Sequence, residues 1–286
     1  MKQRTAFAMA LPLYIFTLIF VLGPLLYMLV LSFLRREGNL GAALDLTLRN
    51  YRRIAIPEYA AAFSQSIKLA LVSTVLVVFF GYPFGYMMAK LSAPWRSRVM
   101  LILIIPFWTS SLMRLYGWII VFRSNGILDN ILMSLGFIGS PLRLLYSYPA
   151  VVTGMIYVLL PFMIYSVFVS AEKMDWSLVE AARVLGASAP RAFLTVTLPL
   201  TMPGLFSGVV LTFIPSMGLF FIADILGGNK IVLVGNLIHE QLLQGHDWPF
   251  AAALSVVLML LTSCFMYLYR VLGRLCGGSG ELEGLV

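Results

Sequence analysis

Long apolar runs separated by short polar segments extend along the whole chain. Each run reaches the roughly 20 residues that an α-helix needs to cross the hydrocarbon core of a bilayer. The pattern therefore predicts an all-α integral membrane protein, with the 286 residues forming a single transmembrane domain. Six spans are predicted, at about Ala6–Phe33, Gln65–Lys90, Val99–Phe122, Tyr148–Ala171, Thr201–Ile222 and Pro249–Leu272.

Pairs of glycines four residues apart occur in two of these spans. Gly81 and Gly85 lie in the second span, and Gly204 and Gly208 lie at the start of the fifth. Small residues at this spacing let helix backbones approach closely in a membrane. We expect both pairs to pack helices within the chain, and we expect Pro83 to kink the second span.

The polar stretch Asp175–Gly204 interrupts the apolar pattern between the fourth and fifth spans. Ser177 and Glu180 have the spacing of a capping box, which starts a helix. Gly186 follows where a left-handed residue would end that helix. The stretch therefore predicts a helix–glycine–helix unit that projects from the membrane.

The second half of this unit carries a cap and two prolines. Ser188 is placed to cap the next turn, with Pro190 tolerated in that turn. Pro199 and Pro203 are expected to end the helix that follows, because proline removes a backbone donor.

The same stretch carries a motif. Glu180-Ala181-Ala182 is followed by Gly186 and then by Leu198-Pro199. This arrangement resembles the E-A-A motif of the permeases of bacterial ABC importers, of the binding-protein-dependent (MetI-like) family. The resemblance implies a type I ABC importer permease fold in which residues 175–200 form a coupling loop that docks on a cytoplasmic ATPase. The alternative is an amphipathic helix that lies at the membrane interface.

Basic residues decide the predicted orientation. Ten Lys and Arg residues fall on the side of the termini and eight on the other side, five of them in the long first loop. The short second loop is the better indicator, and it contains Lys90, Arg96 and Arg98. Both termini and the coupling loop are therefore predicted to be cytoplasmic.

Composition narrows the function classes. Hydrophobic residues make up 60% of the chain and charged residues 11%, far from the roughly 25% of a soluble domain. The net charge of +8 suits anionic membrane lipids, and no aromatic-interleaved basic patch indicates nucleic acid. Cys264 and Cys276 are expected to be free thiols, and His239 and His246 lack other ligands at metal-binding spacing.

Sequence motifs of catalysis are also missing. The chain contains no phosphate-binding P-loop and no hydrolase or metalloprotease signature. We therefore predict a transport subunit that is not an enzyme and holds no cofactor of its own.

Polar and aromatic residues inside the spans are candidates for a substrate path. Trp108, Phe107 and Tyr116 lie in the third span, and Asp224 ends the fifth. Aromatic faces attract ammonium groups, so this set suits an elongated polyamine cation. Trp and Tyr are also ordinary interface anchors, and Arg114 is better explained by structural pairing or by an outward-reaching side chain.

Several longer strings are similar to the permease subunits of bacterial spermidine/putrescine importers. They include PFWTSSLMRLYGW at 106–118, EAARVLGAS at 180–188, MGLFFIADILGG at 217–228 and DWPFAAA at 247–253. The resemblance implies location in the bacterial inner membrane and four kinds of partner: a homodimeric cytoplasmic ATPase that binds ATP and Mg, a second homologous permease, a periplasmic polyamine-binding protein and membrane lipids.

Three alternatives stay open from the sequence. The chain could be the permease of a related ABC importer for another small solute, such as a phosphonate or an iron chelate. It could be an ion-coupled secondary transporter, although no acid lies deep within a predicted span and no repeat is evident. It could also be a membrane scaffold without transport activity.

Overall fold

The structure, a computed structural model, describes residues 11–38, 41–228 and 230–275. Cys276, the last residues of the chain and the first residues of the first predicted span lie outside the described residues. The regular secondary structure of the described part is helical apart from one antiparallel hairpin, β1 (Leu34–Glu37) with β2 (Gly41–Leu46). The helices up to the fourth predicted span are α1 Leu11–Ser32, α2 Arg49–Ile54, α3 Pro57–Ala89, α4 Ala93–Ile104, α5 Ser111–Phe122, α6 Ile127–Ser134 and α7 Tyr148–Glu172. The later helices are α8 Ser177–Val184, α9 Ala189–Ala192, α10 Leu198–Gly218, α11 Phe220–Gly227, α12 Val234–Leu243 and α13 Trp248–Leu275.

Five continuous helical stretches are long and apolar enough to cross a membrane. They are Leu11–Ser32, Pro57–Ala89, Tyr148–Glu172, Ala189–Gly218 and Trp248–Val271. These correspond to five of the six predicted spans. The predicted third span is different, because it consists of two helices that meet at 97°. The predicted span Val99–Phe122 therefore falls on both arms of a bent pair, which is a sixth span if the two arms are counted together.

The segment that joins the first two spans contains a hairpin and a short helix, neither of which was predicted from the sequence. Residues 58–63 form the first turns of α3. Asn50 on α2 donates hydrogen bonds to the backbone carbonyls of Ser32 and Leu34, both at 2.9 Å. Tyr51 completes the contact through a 2.7 Å hydrogen bond between its hydroxyl and that of Ser32. This segment is thereby fixed to the end of α1.

Packing divides the chain into two compact units. One unit comprises Met1–Phe63 and Val234–Ser263, and the other comprises Ser64–Leu233 and Cys264–Val286. We describe each by itself.

Arg53 is the central polar residue of the first unit. Its Nη1 forms a 2.8 Å ion pair with Asp247, and its guanidinium lies 4.0 Å from the ring centre of Phe250. Asp247 is buried and also accepts a hydrogen bond from the backbone N–H of Phe250 at 3.2 Å, which caps the first turn of α13. A buried carboxylate needs such partners, because an unpaired one would be costly in the interior.

Helix α7 forms the centre of the second unit. Its buried side chains Met155, Leu159 and Met163 pack among residues of the neighbouring helices, including Leu115 of α5 and Ile222 of α11. Helices α5, α10 and α11 all lie against α7.

Both predicted glycine pairs bring a helix onto α7. A Cβ atom at Gly85 would lie 2.6 Å from the Ile164 carbonyl oxygen, and one at Gly204 would lie 2.6 Å from the Ser166 carbonyl oxygen. Gly81 and Gly208 are equally close to Met163. The prediction that these glycines pack helices within the chain is confirmed.

The first testable prediction concerns Gly204. Replacing Gly204 by Ala places a methyl group against backbone atoms of α7, and overpacking of this kind costs about 1–3 kcal/mol. We expect a lower midpoint of thermal unfolding for the purified protein in detergent. Gly218→Ala is the matched control, because a Cβ there meets nothing within 4 Å. Equal midpoints for the two variants would contradict the close approach.

Candidate functional site

The polar projection between α7 and α10 begins at Asp175. The Asp175 carboxylate accepts a 3.0 Å hydrogen bond from the backbone N–H of Ser177. Hydrogen bonds from the Ser177 side chain and backbone lower the pKa of this carboxyl. Because the pKa is depressed in the folded state, the interaction is intact at neutral pH and is lost as the pH falls below about 4.

The predicted capping box is wrong. Trp176 occupies the N-cap position of α8, and no side chain caps the helix there. The helix therefore begins one residue earlier than the box requires. The Asp175 carboxylate instead accepts the N–H of Ser177 two residues on, a contact that the sequence did not reveal because Asp makes it in any turn.

The end of α8 agrees with the prediction. Gly186 has φ +88°, which lies in the left-handed region. Its N–H donates to the Arg183 carbonyl at 3.0 Å, and the N–H of Ala187 donates to the Ala182 carbonyl at 3.0 Å. This pair of hydrogen bonds is a Schellman motif. The chain therefore reverses sharply at Gly186.

The return to the membrane differs from the prediction. Ser188 is the N-cap residue of α9, as expected from its position, but its side chain makes no capping hydrogen bond. Pro199 and Pro203 do not end a helix, since Ala189–Gly218 is continuous. At Pro199 the π-helical segment Phe193–Thr197 accommodates the missing donor, because the N–H of Leu198 bonds to the Phe193 carbonyl.

We call residues 175–200 the foot. Glu180 and Ala181 are exposed on α8, Gly186 and Pro199 are exposed, and Ala182 and Leu198 are half-buried. Val184 and Leu185 at the apex are each 87% exposed. Sequence reasoning missed these two apolar residues, although an apolar pair beside the glycine that ends a short polar helix was a usable signal. A projecting helix with an apolar apex and an acid on its flank is suited to docking on another protein.

The base of the foot is fixed to the neighbouring loop. Lys90 at the end of α3 lies with its ammonium group 4.3 Å from the ring centre of Tyr86 and 5.4 Å from that of Trp176. Arg96 on α4 forms a 2.9 Å ion pair with Glu172, the last residue of α7. The basic loop that was used to predict orientation is therefore also part of the support of the foot.

The second candidate region is the break in the third span. Helix α4 ends at Ile104, a 3₁₀ turn covers Ile105–Trp108, and α5 begins at Ser111. Pro106 lies within the turn, and the hydroxyl of Thr109 donates to its carbonyl at 2.8 Å. We call residues 105–110 the break.

The aromatic candidates lie at and beside the break. Trp108 is 81% exposed, and Tyr116 on α5 is also exposed. Phe107 packs edge-on against Phe162 of α7 with ring centres 5.5 Å apart, and the Arg114 guanidinium lies 5.6 Å from its ring centre. A cation of the chain itself therefore lies beside Phe107, whereas the Trp108 side chain is largely exposed.

Two further aromatic residues belong to this cluster. Tyr157 on α7 lies 5.6 Å from the Arg114 guanidinium, and its ring packs edge-on against that of Trp118 at 5.6 Å. Sequence reasoning missed Tyr157 because its position in an unbroken apolar helix carries no local signal. Asp224 is half-buried on α11, which packs against α5. Phe107 and Trp118 therefore both contact α7, Phe107 through Phe162 and Trp118 through Tyr157. Asp224 lies on a different helix, α11.

The ionisable residues do not form a metal centre within the described ranges. No group of three or more His, Cys, Asp or Glu residues is placed there to hold an ion. His239 and His246 are both exposed, and Cys264 is a free, exposed thiol.

The foot therefore lies between two helices of membrane length, and the break interrupts a further candidate span. Residues 81–276 match the model of the family described as binding-protein-dependent transport system inner membrane component, and the chain belongs to that family. It is therefore a multi-pass inner-membrane transport permease.

The chain is also similar to individual proteins of known transport systems. The chain is 40% identical over 264 residues to the spermidine/putrescine transport system permease protein PotB of Haemophilus influenzae, covering 92% of each chain. It is 40% identical over 265 residues to the protein of the same name from Escherichia coli K12, covering 93% of this chain and 96% of the relative.

Solved structures confirm the predicted fold class. A chain of a bacterial alginate ABC transporter, solved with a periplasmic protein that holds an alginate pentasaccharide, matches with a TM-score of 0.75 at 18% identity and covers 96% of this chain. A chain of the inward-facing MetNI methionine ABC transporter matches with a TM-score of 0.59 at 17% identity and covers 76%. At these identities the match shows the fold, which is that of an ABC importer permease.

The second prediction tests the turn of the foot. Gly186→Ala forces a side chain into the left-handed region, at a cost of roughly 1–2 kcal/mol. We expect amide hydrogen exchange across residues 177–192 to become about tenfold faster, because 1.4 kcal/mol corresponds to a factor of ten. Gly139→Ala, at a loop glycine with ordinary φ and open space, should leave this exchange unchanged. Unaltered exchange in Gly186→Ala would show that the Schellman turn does not stabilise the foot.

Proposed function

We propose that this chain is a transmembrane subunit of an ATP-driven importer that carries polyamines, spermidine or putrescine, into the cytoplasm. The observation that supports this most is the 40% identity, over more than nine-tenths of the chain, to permeases of spermidine/putrescine transport systems. The aligned region of 264 residues covers 92% of the chain, which is far more than one short motif. It therefore favours a shared solute as well as a shared fold.

The foot supplies the coupling step of this proposal. Val184 and Leu185 at the apex insert into a groove of a cytoplasmic ATPase, and Glu180 pairs with a basic residue at the edge of that groove. ATP and Mg are bound and ATP is hydrolysed by the ATPase, which acts as a homodimer. Both termini of the permease lie in the cytoplasm, on the side of the foot.

The remaining partners complete the importer. A second, homologous permease packs beside this one, and the solute path lies between the two. A periplasmic polyamine-binding protein delivers the solute to the outer side. When the ATPase dimer closes, it draws the two feet together, and the path changes from inward-facing to outward-facing.

The break supplies the contact with the solute. Trp108 presents a largely exposed indole, and an indole face attracts an ammonium group by roughly 0.5–2 kcal/mol. Phe107 and Tyr116 line the path beside it, and Asp224 contributes a negative charge on α11. A polyamine has several ammonium groups along a flexible chain, which matches separate aromatic and acidic contacts.

Reconstitution tests the function directly. The chain, purified with its partners and placed in lipid vesicles, should hydrolyse ATP faster when a polyamine and the soluble binding protein are both added. Stimulation by a phosphonate or an iron chelate, with none by spermidine or putrescine, would favour a related importer instead. Uptake driven by an ion gradient without ATP would overturn the proposal.

The third prediction addresses coupling. Glu180→Lys reverses the exposed charge on α8, so we expect ATP-driven uptake to fall at least tenfold, because placing like charges together at an interface costs several kcal/mol. Glu58→Lys, which reverses an exposed acid in the first turn of α3, is the control and should transport normally. Full uptake by Glu180→Lys would remove Glu180 from the coupling contact.

The fourth prediction addresses the solute path. Trp108→Ala removes the exposed indole of the break, and we expect the half-saturating polyamine concentration for ATPase stimulation to rise by about two- to thirtyfold, the equivalent of 0.5–2 kcal/mol. Trp95→Ala is a matched control, because Trp95 on α4 is also exposed, at 58%, but lies outside the break. An equal change in both variants would indicate loss of a membrane anchor and not of a solute contact.

A further inference from the structure

The foot has two arms, one that leaves α7 and one that returns to α10, and both contact the same residue of α3. The ring of Tyr86 lies 5.7 Å from that of Trp176 on the first arm and 5.8 Å from that of Phe193 on the second. Phe193 also packs edge-on against Tyr82, one turn earlier on α3, with ring centres 6.0 Å apart. The chain continues the two arms into α7 and α10, so it is side-chain contact that ties them to α3.

Lys90 adds a charge to this cluster. Its ammonium group lies 4.3 Å from the ring centre of Tyr86 and 5.4 Å from that of Trp176. Because the faces of aromatic rings attract cations, the ammonium group draws the ring on α3 and the ring on the foot toward the same point. An aliphatic side chain at position 86 would fill similar space without this attraction.

Helix α3 is held on two of its faces within the second unit. Gly81 and Gly85 lie against α7. Tyr82 and Tyr86 directly follow them in sequence and are therefore rotated by roughly 100° around the helix. On this second face, the hydroxyl of Tyr82 also forms a 2.7 Å hydrogen bond with that of Thr201 on α10. A shift of α3 relative to the foot would disturb contacts on both faces.

The apex of the foot lacks such support. Val184 and Leu185 are each 87% exposed, so a force applied there enters the membrane helices through the two arms. A foot held by its chain connections alone would be free to tilt relative to α3. We therefore propose that Tyr86 is a positioning residue for transport. It holds both arms at a fixed orientation to α3, so that a movement of the foot displaces α3 together with α7 and α10.

This inference rests on the proposed function, because that function supplies the ATPase that moves the foot. Two variants at position 86 test it in the importer reconstituted in lipid vesicles. Tyr86→Leu removes both ring contacts, each equivalent to a factor of about two to ten, so we expect solute uptake per ATP hydrolysed to fall about fivefold or more. The tagged Tyr86→Leu chain should still retain the native amount of the ATPase. Tyr86→Phe keeps the ring and should keep the native ratio of uptake to hydrolysis.

Phe84→Leu is the matched control, because it removes a 48% exposed aromatic ring from the same helix and should leave uptake per ATP unchanged. Equal uptake per ATP in Tyr86→Leu and Phe84→Leu would overturn the inference. Loss of the ATPase from Tyr86→Leu would also overturn it, since the ring would then shape the foot for docking. An equal defect in Tyr86→Phe and Tyr86→Leu would do the same, because the ring would then not be the cause.

A second measurement leaves Tyr86 in place and so does not depend on the folding of the variant. Spin labels attached at Met87→Cys and Ser188→Cys, two exposed positions, report the distance between α3 and the foot once the native cysteines are replaced by serine. The distribution of this distance should be the same in the nucleotide-free and the ATP-bound importer. A change in the mean distance on ATP binding would show that the foot moves relative to α3 and would overturn the inference.

The two proposals fail in different ways. If neither spermidine nor putrescine stimulates ATP hydrolysis by the native importer, the proposed function is wrong. The distance measurement requires ATP and no solute, so it still decides the inference in that case. If the native importer is stimulated and Tyr86→Leu takes up as much solute per ATP as the native chain, only the role of Tyr86 is wrong.

Discussion

The structure of the second unit depends on the close approach of α3 and α10 to α7. Between helices in a lipid bilayer there is little hydrophobic driving force, so van der Waals contact and interhelical hydrogen bonds must hold them together. Glycines at positions 85 and 204 bring both backbones against carbonyl groups of α7. A buried 2.7 Å hydrogen bond between the hydroxyls of Tyr82 and Thr201 then links α3 to α10 directly. The three helices form one block, and the foot leaves this block from α7 and returns to it at α10.

The sequence predicted what depends on local pattern and composition. Apolar runs of membrane length located five continuous helices, and the glycine pairs located the contacts between them, because lipid excludes almost every other arrangement. Gly186 was identified as the turn of the foot, since a left-handed residue after a short helix is usually glycine. Each of these features depends on residues that are close together in the sequence.

Features decided by tertiary packing were not predictable in this way. The break carries local signals in Pro106 and the polar residues 109–111, but the apolar residues on both sides favour one continuous span, and the 97° bend is visible only in the structure. Pro199 has the local signature of a helix end, but the π-helical segment before it absorbs the missing donor. The path residues Trp108 and Asp224 stay predictions, because exposure and burial alone do not show what they bind.

Helix α7 connects the two candidate regions. At one end, Glu172 of α7 pairs with Arg96 of α4, immediately before the foot. Further along, Phe162 and Tyr157 of α7 contact Phe107 and Arg114 at the break. Tyr157 and Glu172 are separated by about 22 Å along the helix at ~1.5 Å per residue. Because α4 contacts α7 near both of its ends, we expect a displacement of α7 that begins at the foot to reach α4 and the break as well.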